Sequence, residues 1–286
     1  MATTKTHVIE RIFLGRWQAE AQPLSQSLVT IEDIAAAIRT HNEQHPNDTL
    51  SDRNPANFFK DFIRNRKSAN ANWPERVLAA GFTARQITGN NRAFEFVPLL
   101  GGQVEPFPET FVPTADTPRR EIETVSLPVA SRRLGRSDES WLVQVLVRLR
   151  IIETHFSLYS PRRIVQLDHL QMSVKLRGSE IDALFLATEE VDGPRYDEII
   201  VCCEAKGRRD DILEDQILRQ VQAVFGIPGV TQDRAIAIAV KAIGPSEVFC
   251  VEFDVISRAE APEIVSLTPV SQTLYVLRPP IPGIGA

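Results

Sequence analysis

Cysteine and histidine are scarce in this 286-residue chain, which contains three cysteines and five histidines. Two of the cysteines, Cys202 and Cys203, are adjacent, and no CxxC pair or Cys/His cluster has zinc-site spacing. This composition excludes a disulfide framework and predicts a reducing compartment. The histidines form neither an HExxH motif nor an HNH-like pairing.

Long hydrophobic runs and nucleotide-binding motifs are also missing. The apolar stretches stop well short of the ~18–20 residues needed to span a bilayer, and the N-terminus has no continuous apolar signal segment. No GxGxxG, GxxxxGK[ST] or GxSxG motif occurs. We therefore expect a soluble, cytoplasmic protein without a membrane partner.

What remains is ordinary globular composition, with 43% hydrophobic and 24% charged residues and a net charge of −5. The length favours two modest domains, each large enough to form its own core. The charge is unevenly placed: residues 51–92 contain eight basic and three acidic side chains, a net charge of +5, so the remainder carries −10. A basic module on an acidic chain suggests a DNA-backbone partner, and a merely solvated basic face is the alternative.

The first hundred residues predict three helices followed by a hairpin. Thr30 is the expected N-cap of the first helix, the second begins near Asn54-Pro55, and Trp73-Pro74 opens the third. Two short strands, 82–87 and 93–97, follow, joined by a turn at 88–91. This order resembles a winged-helix domain, here 1–100, which implies binding of double-stranded DNA, although such domains also mediate protein contacts. The expected DNA-binding residues are Lys60, Arg64, Arg66, Lys67, Arg76 and Arg92, with Asn70 and Asn72 as further base-reading candidates.

Glycines and prolines then predict a linker at 101–137, which separates this domain from a second one at 138–286. In the second domain one long helix is expected from Ser137 or Asp138 to Phe156. Strands are expected at 164–174, 180–188 and 196–206, a helix at 211–225, and further strands at 235–240 and 249–253. The order α-β-β-β-α-β predicts an α/β (α+β) mixed sheet flanked by helices.

One apolar run, 199–203, ends in Glu204-Ala205-Lys206. The period of a strand puts Glu204 and Lys206 on the same face, although the run itself is typical of a strand buried on both sides. Asp182, on the neighbouring predicted strand, is also surrounded by apolar residues. Buried charges are costly unless they are paired or bind a metal, so these three side chains indicate a site.

These residues resemble the motif of the PD-(D/E)xK nuclease superfamily, although Ile181 stands where the family pattern has proline. The resemblance implies that Asp182 and Glu204 bind Mg²⁺ and that Lys206 orients or activates the attacking water. It also implies a catalytic role for a helix glutamate, for which Glu153 is the candidate, and a glutamine near the lysine, at Gln216 or Gln220. The implied products are a 5′-phosphate and a 3′-hydroxyl.

A DNA-binding module joined to such a core looks like a type II restriction endonuclease that acts as a homodimer on double-stranded DNA. Cleavage that requires a methylated base is one subtype. The alternatives are a DNA-binding regulator with an inactive nuclease-like domain and a repair or junction nuclease. The recognition sequence and the cut position do not follow from the sequence.

Overall fold

The structure, a computed structural model, describes residues 3–17, 24–87, 91–133, 138–176, 179–264 and 266–284. The chain divides into two units, Met1–Glu109 and Thr110–Ala286. The first contains a three-stranded antiparallel sheet, and the second contains an eight-stranded mixed sheet. The fold is therefore mixed α and β. None of the helices in the described ranges is long and apolar enough to cross a membrane.

The described residues of the first unit form five α-helices and one 3-10 turn around a small sheet, whose strand order is β1-β3-β2. Thr30 is the N-cap of α2, as predicted, because its side chain accepts a hydrogen bond from Asp33 N while Asp33 bonds back to Thr30 N. Gly81, with φ of +81°, ends α5. The elements are α1 (Thr4–Leu14), β1 (Leu28–Thr30), α2 (Ile31–Gln44), the 3-10 turn (Pro55–Asn57), α3 (Phe58–Ile63), α4 (Arg66–Asn72), α5 (Glu75–Ala79), β2 (Phe82–Gln86) and β3 (Arg92–Pro98).

Three features of this unit differ from the sequence prediction. Helix α1 and strand β1 were not predicted, since β1 has only three residues and α1 carries no acidic residue in its first turn. The predicted second helix is divided, because the Asn65 side chain accepts from Ser68 N at 3.0 Å and caps a new helix, α4. Most of the predicted turn, residues 88–90, lies outside the described residues.

In the second unit the sheet order is β4-β11-β9-β8-β7-β6-β5, and β10 pairs with β8. Strands β5, β6 and β7 form an antiparallel meander, and the chain then crosses through α9 to β8, which is parallel to β7. The helices are α6 (Val129–Arg133), α7 (Glu139–Arg148), α8 (Ile151–Leu158) and α9 (Glu214–Val224). The strands are β4 (Arg119–Glu123), β5 (Ile164–Leu176), β6 (Ser179–Asp192), β7 (Arg195–Lys206), β8 (Arg234–Gly244), β9 (Glu247–Phe253), β10 (Ile256–Ser257) and β11 (Pro269–Arg278).

The segment predicted as a linker, 101–137, contributes to both units. Its first part belongs to the first unit, where Phe107 packs against the core. Its later part supplies β4, which pairs in parallel with β11 near the end of the chain. Leu127 is buried in the core of the second unit. Because β4 pairs with a strand so distant in the sequence, no local apolar periodicity marks it. The glycines and prolines of the segment therefore suggested a linker.

The long helix predicted from Asp138 to Phe156 is two helices, α7 and α8. Asp138 caps α7 as expected, because its side chain accepts from Trp141 N at 2.8 Å. The break lies at Arg150, which has a left-handed φ of 52°. No glycine or proline marks this break, and both helices pack into one core, so the apolar spacing continues across it.

Strand β7 lies between two hydrophobic cores. Its odd-numbered residues Val201 and Cys203 face the core that contains α7 and α8. Its even-numbered residues Ile200 and Cys202 face the core that contains α9. The predicted burial of this strand on both faces is confirmed, and its last even-numbered residues, Glu204 and Lys206, continue the α9 side.

Candidate active site

Strand β7 ends in two charged side chains that are almost fully buried. Glu204 is 1% exposed and Lys206 is 8% exposed. Because alternate strand residues share a face, both follow Ile200 and Cys202 toward α9. The distance from Lys206 Nζ to Glu204 Oε1 is 2.5 Å, which makes the two a direct ion pair.

Asp182 lies beside this pair on strand β6. The register aligns Ala183 with Cys203, so Asp182 stands one position beyond, next to Glu204. Its Oδ2 accepts a hydrogen bond from Ala205 N at 2.8 Å. The structure therefore brings together Asp182, Glu204 and Lys206, as the sequence predicted.

A third carboxylate, which the sequence analysis missed, reaches the same lysine. Glu139, in the first turn of α7, has its Oε1 3.2 Å from Lys206 Nζ. Its side chain is about two-fifths exposed, in contrast to Glu204. The ammonium of Lys206 thus lies between a buried and a partly solvated carboxylate.

Gln220, on the buried face of α9, also contacts Glu204. Its Nε2 donates to Glu180 O at 2.7 Å and to Glu204 Oε2. The remaining oxygen, Oε1, is buried and has no hydrogen-bond partner among the residues described. Gln216, the other predicted glutamine, is half-buried on the same helix, and no contact with Glu204 is described for it.

The burial of these groups changes their proton affinities. Burial and the neighbouring Glu204 carboxylate raise the pKa of Asp182 to about 7. Burial also raises the pKa of Glu204, although Lys206 and Gln220 oppose that rise. For Lys206, burial disfavours the charge, but Glu204 and Glu139 outweigh it and the pKa is raised. The lysine is therefore charged at neutral pH, and Asp182 is close to its midpoint.

Within the described ranges, no three His, Cys, Asp or Glu side chains are grouped so as to hold a metal ion. Two carboxylates on paired strands are nevertheless compatible with Mg²⁺, which keeps several of its waters and uses one or two protein carboxylates. The raised pKa of Asp182 fits this chemistry, since a bound cation would offset the repulsion from Glu204. Asp182 and Glu204 are the residues that would hold it.

Glu153, the predicted helix carboxylate, is not brought to these residues by any contact described for it. It lies half-buried on α8, beyond the break at Arg150, and burial raises its pKa. The prediction assumed one continuous helix, whereas the first turn of α7 is the part that approaches Lys206. The position of Glu139 directly after the cap Asp138 was the available signal.

The predicted DNA-binding residues in the first unit fall into two groups. Lys60, Arg64, Lys67 and Arg92 are exposed, and no ion pair is described for them within the described part of that unit. Two others are in ion pairs. In Arg66, Nη1 lies 3.2 Å from Glu105 Oε2 and Nη2 lies 3.1 Å from Glu109 Oε2. In Arg76, Nε lies 3.5 Å from Glu10 Oε1.

The asparagines suggested as base readers are also engaged. Asn70 donates to Phe107 O at 3.1 Å and accepts from Phe107 N at 2.8 Å. Asn72 donates to Ser68 O at 2.7 Å. Together with Arg66, Asn70 holds the segment 105–109 against α4, so these side chains have structural partners that a DNA contact would have to replace.

No protein-family model matches this chain, and comparisons with curated proteins and with solved structures likewise give no match.

Proposed function

We propose that this protein is a magnesium-dependent endonuclease that hydrolyses phosphodiester bonds in double-stranded DNA at a specific sequence, in the manner of a type II restriction endonuclease. The observation that carries the proposal is the arrangement of Asp182, Glu204 and Lys206. Two carboxylates on paired strands lie beside one charged lysine, at the end of a buried central strand.

The topology around these residues supports the proposal. The order α8-β5-β6-β7-α9-β8, with β7 parallel to β8, is the order expected of a PD-(D/E)xK core. The aspartate lies on the second strand of the meander and Glu204-Ala205-Lys206 ends the third. Ligands of open α/β sheets bind beyond the carboxyl ends of parallel strands, which is where Lys206 lies.

The chemistry follows from the donor set. Mg²⁺ bound by Asp182 and Glu204 would make a water more acidic and offset negative charge at the scissile phosphate. Lys206 supplies a positive charge and a hydrogen-bond donor for that water or for a phosphate oxygen. Gln220 fixes the carboxylate of Glu204, and Glu139 fixes the ammonium of Lys206. Products with a 5′-phosphate and a 3′-hydroxyl are expected.

The first unit would supply DNA binding as a winged helix. Strand β1 lies between α1 and α2 in the chain and pairs with β3, the second strand of the β2-β3 hairpin. That connectivity is the one expected of a winged helix, and exposed basic residues on α3, α4 and β3 suit a phosphate backbone. A homodimer would place two such sites on the two DNA strands.

The test is cleavage of phage DNA, methylated and unmethylated, by the purified full-length protein. With Mg²⁺ or Mn²⁺ we expect discrete fragments with uniform ends on sequencing, and no cleavage in EDTA. Binding without cleavage on every methylation state would favour the DNA-binding regulator. Preference for branched over linear duplexes would favour a repair or junction nuclease.

A further inference from the structure

A second buried lysine lies on the strand next to Lys206. Strand β8 runs parallel to β7, and the register pairs Lys206 with Lys241. Lys241 is 6% exposed, and its Nζ lies 3.1 Å from Asp211 Oδ1, in the segment that joins β7 to α9. An ammonium buried near a strand end is costly even when paired, so its position requires an explanation.

The two lysines extend from the same face of the sheet. Paired residues of neighbouring strands share a face, and such strands lie about 4.8 Å apart. Ala239 of β8 packs in the same core as Cys202 of β7, on the α9 side. Lys241 follows Ala239 by two residues and Lys206 follows Cys202 by four, so both lysines continue that side. They therefore lie next to each other near the carboxyl ends of two parallel strands.

We propose that Lys241 is a positioning residue of the same active site, which binds a phosphate of the cleaved strand adjacent to the scissile phosphate. This inference rests on the proposed nuclease function. Lys206 is held by Glu204 and Glu139, and its charge serves the reacting phosphate. Lys241 offers a separate charge on the neighbouring strand, for a second phosphate of the same DNA backbone.

Asp211 holds Lys241 in the free protein, and phosphate oxygens would compete for that ammonium when DNA enters. In the intervening loop, Arg208 and Arg209 are exposed next to Asp210 and Asp211, so the loop offers cations as well as carboxylates near Lys241. A solely structural role, in which the Lys241–Asp211 pair anchors this loop, makes different predictions. In a solely structural role, the loss of Lys241 would lower only the stability of the fold. A phosphate contact also contributes to the salt dependence of DNA binding.

The experiment compares Lys241→Met with the wild-type full-length chain. Affinity for duplex DNA is measured with calcium in place of magnesium at several salt concentrations, and single-turnover cleavage is measured with magnesium at saturating DNA. We expect the slope of log affinity against log salt to fall by about 1. We expect the cleavage rate to fall by about tenfold or more, because the strand is positioned less well. Lys241→Arg should keep the wild-type slope.

The matched control is Arg163→Met. Arg163 directly precedes β5, and its Nε lies 3.1 Å from Oε2 of Glu190, at the end of β6 away from Asp182. This variant should leave the slope and the rate unchanged. If Lys241→Met does not fold, Lys241→Met combined with Asp211→Asn removes both charges and takes its place in the comparison. A folded variant with the wild-type slope and rate overturns the inference, even if its melting temperature is lower.

The two proposals fail in different ways. If the wild-type chain cleaves DNA and the Lys241 variants keep its salt slope and cleavage rate, only this inference is overturned. A wild-type chain that neither binds nor cleaves DNA with Mg²⁺ or Mn²⁺ removes the nuclease proposal, and the inference with it.

Discussion

Glu139 Oε1 lies 3.2 Å from Lys206 Nζ, although the two residues are 67 positions apart in the chain. The contact joins the first turn of α7 to the last residue of β7. Its consequence is that Lys206 has two carboxylate partners of different character, Glu204 deeply buried and Glu139 partly solvated. The partly solvated carboxylate of Glu139 holds the ammonium of Lys206 in place at a lower desolvation cost than a second buried carboxylate would.

The first prediction separates the two helix glutamates. Glu139→Gln should lower the cleavage rate about tenfold, the equivalent of about 1.4 kcal/mol, because the ammonium of Lys206 loses a charged partner. Glu153→Gln, the matched control on the next helix, should leave the rate within about twofold of wild type. The measurement is single-turnover cleavage with magnesium. Equal losses in both variants would contradict this assignment of Glu139.

The second prediction concerns the central pair. Glu204→Gln and Lys206→Met should each lower cleavage by about 10³-fold, because a metal ligand or a charge that stabilises the transition state is lost. DNA binding should remain, since the basic residues proposed to contact phosphates lie in the first unit. Lys206→Met should also lower the free energy of unfolding by about 3 kcal/mol, as it leaves a buried carboxylate unpaired.

Two measurements check this prediction: cleavage, and urea unfolding of the same variants. The double variant Glu204→Gln with Lys206→Met controls for stability, because it removes both charges and should be more stable than Lys206→Met alone. A single variant that cuts at close to the wild-type rate would falsify the catalytic assignment.

The third prediction follows from the pKa of Asp182, which burial and Glu204 raise to about 7 from 3.8. A carboxyl with a raised pKa binds its proton more tightly in the folded chain. Its contribution to the free energy of unfolding therefore falls as pH rises from about 4 to about 7, and stays constant above that. Without metal, the free energy of unfolding should fall by about 1–3 kcal/mol over this pH range because of Asp182, after allowance for partial solvation.

Urea unfolding in EDTA between pH 5 and pH 8 measures this effect, as the difference between wild type and Asp182→Asn. Asp168→Asn, at an exposed carboxylate on β5, controls for the change in total charge. Because Mg²⁺ must displace the same proton, magnesium affinity should rise as pH increases through about 7. A stability difference independent of pH would contradict the raised pKa.

The sequence predicted the elements that have strong local signals. The cap at Thr30, the cap at Asp138 and the buried run before Glu204 all depend on residues close in the chain. The proximity of Asp182, Glu204 and Lys206 was also predictable, since their strands are consecutive and form a hairpin.

The features that could not be predicted depend on partners distant in the sequence, or on a helix break that no glycine or proline marks. Strand β4 exists because it pairs with β11, and α7 is separated from α8 at a left-handed arginine. Neither feature changes the local apolar periodicity. The ion pairs of Arg66 with Glu105 and Glu109 could not be predicted either, because Arg66 is far from both glutamates in the sequence.

The fourth prediction distinguishes exposed from engaged basic residues in the first unit. Replacing Lys67 or Arg92 with alanine should weaken binding similarly on all DNA sequences and reduce the salt slope by about 1. Arg66→Ala should change the slope less, because its guanidinium is already paired with two carboxylates, and should instead loosen the segment 105–109. Fluorescence anisotropy at several salt concentrations measures the slopes. Equal slopes for all three variants and wild type would exclude a phosphate contact at Lys67 and Arg92.

The last prediction concerns where the chain can be divided. A fragment that begins at Thr110 should fold and cleave duplex DNA with magnesium, but with lower affinity and reduced sequence selectivity, since the basic segment 51–92 is lost. A fragment that begins at residue 138 should be unstable, because it lacks β4 and the buried Leu127 and exposes the edge of β11. Circular dichroism and thermal unfolding test the folding of each fragment, and digestion of phage DNA tests selectivity. A fragment from Thr110 that cuts one sequence with full selectivity would remove the first unit from recognition, whereas a stable fragment from residue 138 would show that β4 is dispensable.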